Sequence, residues 1–149
     1  MKVYFVPDAV DQESRPLVNS EENAVAAVLG AYQSALNASD ADAVMALYAH
    51  DGVFMPQNSA SRVGTSAVRR AYDNVFRAIT LSVTFQVVEV VQVAATWAFA
   101  RTNSAGKTTI HATGATTAEA NQELFVFTKV DGAWKIARYC FATTSPAKA

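Results

Sequence analysis

Hydrophobic residues in the first part of the chain recur at helical spacing. After a polar segment that ends near Pro16, Asn19 and Ser20 can cap a first helix. Its apolar positions follow the i, i+3, i+4, i+7 pattern of one helix face, and they are Val25, Val28, Leu29, Tyr32 and Leu36. Asp40 can cap a second, short helix, which we expect to end at a turn over residues 49–52. The apolar face of that second helix would consist of Val44, Leu47 and Tyr48.

A third helix precedes a change of period. Residues 53–55 predict a short strand before Pro56, and the third helix begins near Thr65 or Ser66. One side of this helix is apolar, with Val68, Tyr72, Val75, Phe76 and Ile79. From Thr80 the hydrophobic positions recur every second residue, which is typical of a strand. We expect one long strand with a continuous face formed by Leu81, Val83, Phe85, Val87, Glu89 and Val91.

The second half of the chain predicts an antiparallel meander. A strand with Trp97, Phe99 and Arg101 on one face is expected to turn near residues 103–106 and can resume over 107–113 before a loop at Gly114. The small-residue segment 108–120 is expected to form a loop or arm. The next strand carries Asn121, Glu123, Phe125 and Phe127 on one face, and a hairpin turn over 130–133 leads into the last strand, 134–143. Three N-terminal helices before a meander predict an α+β fold, in which the helices pack in the concave face of a curved, mainly antiparallel sheet.

Length and charge limit the classes of function. The 149 residues suffice for one domain, which we place at 19–149 after a leader at 1–18. The 12 basic and 13 acidic residues give a net charge of -1, which argues against a nucleic-acid partner. No apolar stretch reaches the roughly 20 residues of a membrane span, and the N-terminus lacks the hydrophobic core of a signal peptide. We therefore expect a cytoplasmic protein without a membrane partner.

Metal and cofactor sites are not expected. Cys140, His50 and His111 are the only residues of their types, and their spacing does not supply a zinc ligand set. The chain has no glycine-rich phosphate loop and no dinucleotide-binding fingerprint. We predict no metal and no cofactor.

Aromatic residues are concentrated on elements that should face inward. Each one alone is more often a core residue, but several tyrosine and tryptophan side chains that converge would line a pocket with polar groups. We expect a small, mostly apolar organic ligand. The predicted ligand-binding residues are Tyr48, Phe54, Met55, Tyr72, Phe76, Trp97, Phe99, Arg101, Asn121, Phe125 and Tyr139.

Glu123 is the most informative single residue, because its strand face is otherwise apolar. A carboxylate on such a face is costly unless it is paired or protonated. If Glu123 faces a dry cavity, its pKa rises and the neutral acid can donate a hydrogen bond to a developing oxyanion. The alternative is a salt bridge across the sheet to Arg101 or Arg138.

The element order and three strings resemble a known superfamily. The strings are AYQSALNASDADAVMALYAHDGVFMP, RVGTSAVRRAYDNVF and ANQELFVFTKVDGAWKIARYCFATTSP. They resemble the nuclear-transport-factor-like (SnoaL-like, ketosteroid-isomerase-like) domains from about Asn19 to Ser145, and within them the SgcJ/EcaC-like branch. The resemblance implies a cone-shaped α+β domain. It also implies a homodimer through the outer face of the sheet, which would cover apolar positions such as Val126 and Ile136.

The resemblance suggests two catalytic residues. Tyr32 occupies the position of the oxyanion-hole tyrosine of ketosteroid isomerases, and Glu123 that of their protonated aspartate. The position of their general base is occupied by Met55, whose side chain cannot take up a proton. The resemblance therefore argues against steroid isomerisation itself.

The sequence leaves two functions open. The first is a pocket protein that binds an apolar carbonyl compound, with isomerase-, cyclase- or hydrolase-like chemistry through Tyr32 and Glu123 if it is an enzyme. The second is a non-catalytic homodimeric accessory domain, which predicts a filled interior and a Glu123–arginine pair. The fold hosts both kinds of protein, so the site must decide.

Overall fold

A computed structural model describes Leu17 and residues 19–145, so the rest of the expected leader lies outside the described residues. The helices are α1 (Ser20–Asn37), α2 (Ala41–Met45) and α3 (Thr65–Ala78). The strands are β1 (Tyr48–Met55), β2 (Arg62–Val63), β3 (Ile79–Ala94), β4 (Trp97–Ile110), β5 (Thr116–Val130) and β6 (Ala133–Thr143). They form a sheet of order β2-β1-β6-β5-β4-β3, in which β1 and β6 are parallel and the other neighbours antiparallel. The predicted α+β fold with three helices on a curved sheet is confirmed.

The two predicted helix caps are present. The Asn19 side chain accepts a hydrogen bond from the Glu22 amide at 2.8 Å, and Asp40 accepts one from the Ala43 amide at 3.0 Å. Each bond satisfies an amide that the first turn of the helix would leave without a partner. The predicted face of α1 is buried against the sheet through Val25, Leu29, Tyr32 and Leu36, whereas Val28 is partly buried.

Helix α1 also completes the hydrogen bonding of the edge strand β3. The Asn37 side chain both donates to the Val83 carbonyl at 2.8 Å and accepts from the Val83 amide at 2.9 Å. Gln33 accepts from the Phe85 amide at 2.8 Å. Amide side chains thus replace a neighbouring strand at the edge of the sheet, and they fix the distance between α1 and β3 along one wall of the interior.

The second helix is shorter than predicted, and the turn expected at 49–52 is wrong. Helix α2 ends at Met45, and Tyr48 already belongs to β1. The Ile136 amide donates to the Leu47 carbonyl at 2.7 Å, so pairing with β6 begins at once. Gly52, interpreted as a turn residue, lies within the strand, where an added Cβ would be 2.7 Å from the Tyr48 ring. Tertiary pairing here overrides the local turn preference.

The expected turn at 103–106 is also wrong, and the loop expected within 108–120 is confined to residues 111–115, around Gly114. Strand β4 runs without interruption to Ile110, and β5 begins at Thr116. The two strands pair continuously from Trp97 opposite Thr128 to Thr109 opposite Thr116. Small and polar residues predominate in this part of the hairpin, so its strands lack the hydrophobic alternation from which a strand is predicted.

The single face predicted for β3 changes at a bulge. The register between β3 and β4 shifts between Val87 and Glu89. Up to Val87 the odd-numbered residues face the interior, but beyond the bulge Val88 and Val90 are the buried ones. Glu89 consequently lies on the outer face, where its carboxylate is 2.6 Å from the Arg101 side chain. One extra residue in a strand moves every side chain after it to the opposite face of the sheet.

Candidate functional site

The concave side of the sheet and the helices enclose a cavity of about 190 Å³. Its walls are mainly aromatic and aliphatic, and its polar groups come from tyrosines of the helices and from β4, β5 and β6. The lining residues are Tyr32, Leu36, Phe54, Pro56, Tyr72, Val75, Ile79, Leu81, Val83, Phe85, Ser104, Glu119, Asn121, Glu123, Tyr139 and Phe141. An apolar cavity with a few convergent polar groups is the usual form of a small-molecule site.

Three tyrosine hydroxyls form a connected network beside the cavity. The Tyr72 hydroxyl lies 2.7 Å from that of Tyr32 and 2.7 Å from that of Tyr48. A fourth tyrosine, Tyr139, packs against this network, with its ring centroid 5.5 Å from that of Tyr32. The rings are fixed by edge and stacking contacts, for example Tyr139 on Phe125 with centroids 4.1 Å apart. The hydroxyls are therefore held in place by packing on every side.

Burial keeps these tyrosines protonated. Desolvation raises the pKa of Tyr32, Tyr48, Tyr72 and Tyr139 above the ordinary tyrosine value, because a phenolate cannot be hydrated in this interior. The hydroxyls consequently act as hydrogen-bond donors and acceptors and not as bases.

Glu123 is buried at the polar end of the cavity, with 5% of its surface exposed. Its two carboxyl oxygens accept hydrogen bonds from Thr102 Oγ1 and Ser104 Oγ, each at 2.6 Å. The pKa of Glu123 is raised to about 7, mainly by desolvation: the hydrogen bonds from Ser104 and Thr102 oppose the rise, and the charge of Glu119 adds to it. Glu123 is thus a carboxyl group that is protonated in part at neutral pH.

The two arginines that could have paired with Glu123 lie elsewhere. Arg101 Nε is 2.6 Å from Glu89 on the outer face. Arg138 donates from Nη1 to the carbonyl of Asp51 at 3.1 Å and to that of Ala137 at 2.6 Å. The salt-bridge alternative for Glu123 is wrong, because the strand alternation places both arginines on the other side of the sheet.

Six of the predicted site residues line the cavity, and three lie directly behind its wall. Those in the wall are Tyr32, Phe54, Tyr72, Asn121, Glu123 and Tyr139. Tyr48 supports the wall through its hydrogen bond to Tyr72, Phe76 through its contact with the Tyr72 ring, and Phe125 through its stacking on Tyr139. These three residues can order the site but do not face its interior.

Four predicted site residues face away from the cavity. Trp97, Phe99 and Arg101 alternate with the buried Ala98 and Ala100 on β4 and lie on the outer face. Met55 follows the inward-facing Phe54 on β1 and is 44% exposed. The expectation that these four side chains line the interior is wrong. On β4 the aromatic residues form the outer face, because the small residues Ala98 and Ala100 occupy the inner face.

The sequence interpretation missed several polar residues of the site. Thr102 and Ser104, which donate hydrogen bonds to Glu123, were missed because Ser104 falls within the turn expected at 103–106 and Thr102 directly precedes it. Glu119 was assigned to the loop or arm, although it lines the cavity from β5. The pairing of Thr102 with Glu123 across β4 and β5 could have been found from the sequence only with the correct strand register.

Three further observations concern the described residues. Within residues 19–145 no group of three or more histidine, cysteine, aspartate or glutamate side chains is placed to hold a metal ion. No helix in the described part of the chain is both long and apolar enough to cross a membrane. Ile136, which was expected on the outer face, is completely buried in the core.

Comparisons with known proteins agree with this geometry. The model of the SnoaL-like domain family matches residues 28–139. A ketosteroid isomerase-like protein from Erwinia carotovora atroseptica SCRI1043 is 38% identical, and the alignment covers 87% of this chain and 100% of that one with a TM-score of 0.83. No curated protein matches the chain.

More distant structures share the fold. A putative scytalone dehydratase from Novosphingobium aromaticivorans DSM 12444 is 18% identical, with coverage of 84% and 85% of the two chains and a TM-score of 0.75. A domain with a cystatin-like fold from Nostoc punctiforme PCC 73102 is 16% identical, with coverage of 87% and 81% and a TM-score of 0.69. The family match over most of the domain and the 38% identical relative lead to one conclusion: the chain belongs to the SnoaL-like family.

Proposed function

We propose that this protein binds a small, mostly apolar carbonyl compound in the cavity, and that Tyr32 and Glu123 polarise the bound carbonyl. The observation that carries the proposal is the state of Glu123: a buried carboxyl group at the cavity wall, held by two hydroxyls, with a pKa of about 7. A neutral acid in a dry cavity can donate a strong hydrogen bond to an oxygen that gains negative charge.

The tyrosine network can supply the second donor. The hydroxyls of Tyr32, Tyr48 and Tyr72 carry three protons, and the two bonds among them use only two. If Tyr48 donates to Tyr72 and Tyr72 donates to Tyr32, the Tyr32 proton is free for the ligand. Each hydrogen bond in such a chain polarises the next, so Tyr32 becomes a stronger donor than an isolated phenol.

The size of the cavity limits the ligand. A cavity of about 150 Å³ is enough to hold benzene. The present cavity of about 190 Å³ therefore fits a molecule with one ring more readily than a steroid. This agrees with the replacement of the isomerase base by Met55, and we place steroids outside the proposed ligand class.

The type of reaction is inferred from relatives. Two similar structures are those of a ketosteroid isomerase-like protein and a putative scytalone dehydratase. Isomerisation of a ketone removes a proton next to the carbonyl group, and polarisation by Tyr32 and Glu123 would assist such chemistry. We therefore propose an isomerase- or dehydratase-like enzyme, and we place it in the SgcJ/EcaC-like branch on the strings quoted above.

The outer face of the sheet supports a proposal of homodimerisation. Trp97 and Leu124 are 44% and 42% exposed there. Val91, Phe99 and Val126 form one row across β3, β4 and β5. Exposed apolar positions on one sheet face favour burial against a second copy. Homodimerisation is compatible with the cavity, because it uses the opposite face, whereas a non-catalytic accessory domain was expected to have a filled interior.

A ligand pair that differs only at the carbonyl tests the proposed function. 2-Cyclohexenone is titrated into the protein by NMR beside its methylene analogue, in which C=CH₂ replaces C=O. We expect the ketone to bind more tightly, by roughly two- to tenfold for one net hydrogen bond. Tyr32→Phe should reduce this preference.

The pH dependence of ketone affinity, measured in the same titration, tests whether Glu123 donates a hydrogen bond to the ketone. Ketone affinity of the unmodified protein should fall as pH rises through about 7, because ionised Glu123 can only accept hydrogen bonds. Glu123→Gln should remove this dependence, whereas Glu89→Gln, a matched change on the outer face, should retain it. Equal affinities for ketone and methylene analogue at every pH would refute the proposed function.

A further inference from the structure

Two acids, and not one, face the cavity from the same strand. Glu119, Asn121 and Glu123 alternate along β5, and all three line the cavity. Glu119 lies opposite Gly106, and Glu123 lies opposite Thr102 of β4. Four residues of a strand separate the Cα atoms of the two acids by about 13 Å. Their side chains therefore approach the cavity from two ends of one wall.

The surroundings of the two acids differ. Glu123 is buried, and hydroxyls bond both of its oxygens. Glu119 is half-buried, and only its Oε2 receives a bond from within the described chain, from Thr108 Oγ1 at 2.5 Å. The Thr108 bond orients the Glu119 carboxylate, whereas Oε1 stays available to a ligand. Two acids in unequal environments are a common arrangement for an acid and a base that act together.

The remaining lining residues offer few other proton acceptors. No lysine, arginine or histidine lines the cavity in the described part of the chain. The cavity tyrosines are kept protonated by burial, and Met55, besides lacking a basic group, points away from the cavity. Glu119 is thus the half-exposed carboxylate at which a proton from the ligand can be received.

We propose that Glu119 is the general base of this site and removes a proton from the carbon next to the ligand carbonyl, while Glu123 and Tyr32 hold the carbonyl oxygen. This inference rests on the proposed function, because it requires a carbonyl compound in the cavity. Glu119 is accordingly assigned as a catalytic residue that contacts the reacting atoms.

The proposed step balances within the site. The C–H bond breaks, its proton moves to Glu119 Oε1, and its electron pair forms a carbon–carbon double bond. The electron pair of the carbonyl π bond moves to the oxygen, where the Glu123 and Tyr32 protons stabilise the enolate. Once the proton on Glu119 has been replaced by deuterium from the solvent, delivery to the same carbon gives exchange. In a β,γ-unsaturated ketone, delivery of the proton to the γ carbon gives double-bond isomerisation. No oxidant, reductant or other co-reactant is consumed.

Exchange of ketone protons in D₂O tests this role without knowledge of the natural substrate. Cyclohexanone is incubated with the protein, and loss of the signals next to the carbonyl is followed by proton NMR, while its dissociation constant is measured in parallel. We expect the rate of proton exchange to be proportional to the protein concentration. Glu119→Gln should lower the exchange rate by about 100-fold or more, as expected for loss of a general base, and change the dissociation constant less than about threefold.

Two variants separate catalysis from structure. Glu89→Gln makes the same chemical change on the outer face and should retain the exchange rate. Glu119→Ala should regain part of the exchange rate when acetate is added, because an external carboxylate can replace a missing base but cannot replace a missing structural contact. Absence of acetate rescue together with weakened ketone binding would overturn the catalytic role.

The outcomes also separate the two proposals. If cyclohexanone binds and exchanges equally well with Glu119→Gln, or binds to the unmodified protein without exchange, Glu119 is not the base, but the proposed binding function stands. If neither cyclohexanone nor 2-cyclohexenone binds, the proposed function fails and the role of Glu119 fails with it.

Discussion

At the scale of single residues, Glu123 shows how burial gives a carboxyl group an unusual state. Its strand neighbours Phe125 and Phe127 are completely buried, and among the described residues no lysine, arginine or histidine lines this cavity. Thr102 and Ser104 provide hydroxyl donors, which offset only part of the cost of desolvation. The same desolvation that makes ionised Glu123 costly makes neutral Glu123 available as a donor.

This state predicts a dependence of stability on pH. The pKa of Glu123 is about 7 in the folded protein, compared with an ordinary value of 4.5. Between these values the folded state holds a proton that the unfolded state has released, so the free energy of unfolding falls as pH rises through this range. The loss should be on the order of 3 kcal/mol when complete. Urea unfolding at pH 5 and pH 8 measures it.

Glu123→Gln provides the reference for that measurement. The neutral amide cannot ionise, so the part of the pH dependence that comes from residue 123 should vanish, whereas other groups contribute equally to both proteins. An identical loss of stability from pH 5 to pH 8 in the two proteins would contradict the raised pKa.

The chemistry of individual residues could be predicted from the sequence only in part. Glu123 was identifiable because a lone acid among phenylalanines is conspicuous, whereas Tyr32 was identified through the resemblance of its string to ketosteroid isomerases. Glu119 was not identifiable, since its neighbours are small and polar. Its role depends on strand pairing, which brings Thr108 and the cavity to it.

At the scale of elements, the bend of the sheet depends on a close approach of two strands. A Cβ added to Gly106 of β4 would lie 2.0 Å from the Ser82 carbonyl oxygen and 2.7 Å from Val83 Cα of β3. These are backbone atoms, so the strand itself would have to move. Glycine at this position permits the curvature that gives the sheet a concave side.

Gly106→Ala should therefore destabilise the protein, by about 2 kcal/mol or more, as for other substitutions that overfill a packed region. Gly30→Ala is a suitable control, because an added Cβ at Gly30 meets no atom within 4 Å. Since alanine favours a helix over glycine, this variant should be more stable than the unmodified protein by roughly 0.5–1 kcal/mol. Chemical unfolding of both variants provides the comparison. Equal stability of Gly106→Ala and the unmodified protein would show that the close approach does not constrain the fold.

The element boundaries show what a hydrophobic pattern can and cannot predict. Helices α1 and α3 and strands β5 and β6 were predicted because one buried face gives each of them a clear period. The bulge at Val87–Glu89 and the small residues of the β4–β5 hairpin were missed. Both are set by partners distant in sequence, and such pairing leaves no local periodic signal.

At the scale of the whole molecule, the fold separates two surfaces. The concave side holds the cavity with Glu119, Glu123 and the tyrosine network, whereas the outer side exposes Trp97 and Leu124. Successive side chains of a strand point to opposite faces of the sheet. Substitutions on the concave face can therefore change the ligand chemistry without changing the association between copies, and substitutions on the outer face can do the reverse. This separation explains why the overall fold alone does not define the activity.

The polarisation of a bound carbonyl tests the central claim most directly. The infrared stretching frequency of 2-cyclohexenone labelled with ¹³C at the carbonyl can be isolated in a difference spectrum of the complex. At pH 6, hydrogen bonds from Tyr32 and neutral Glu123 should lower the stretching frequency of the bound ketone below that of the same ketone in water. At pH 8.5, ionisation of Glu123 should raise the frequency of the bound ketone again. The account would be contradicted if the bound ketone had the same frequency as in an alkane solvent, and if this frequency changed neither between the two pH values nor in Glu123→Gln.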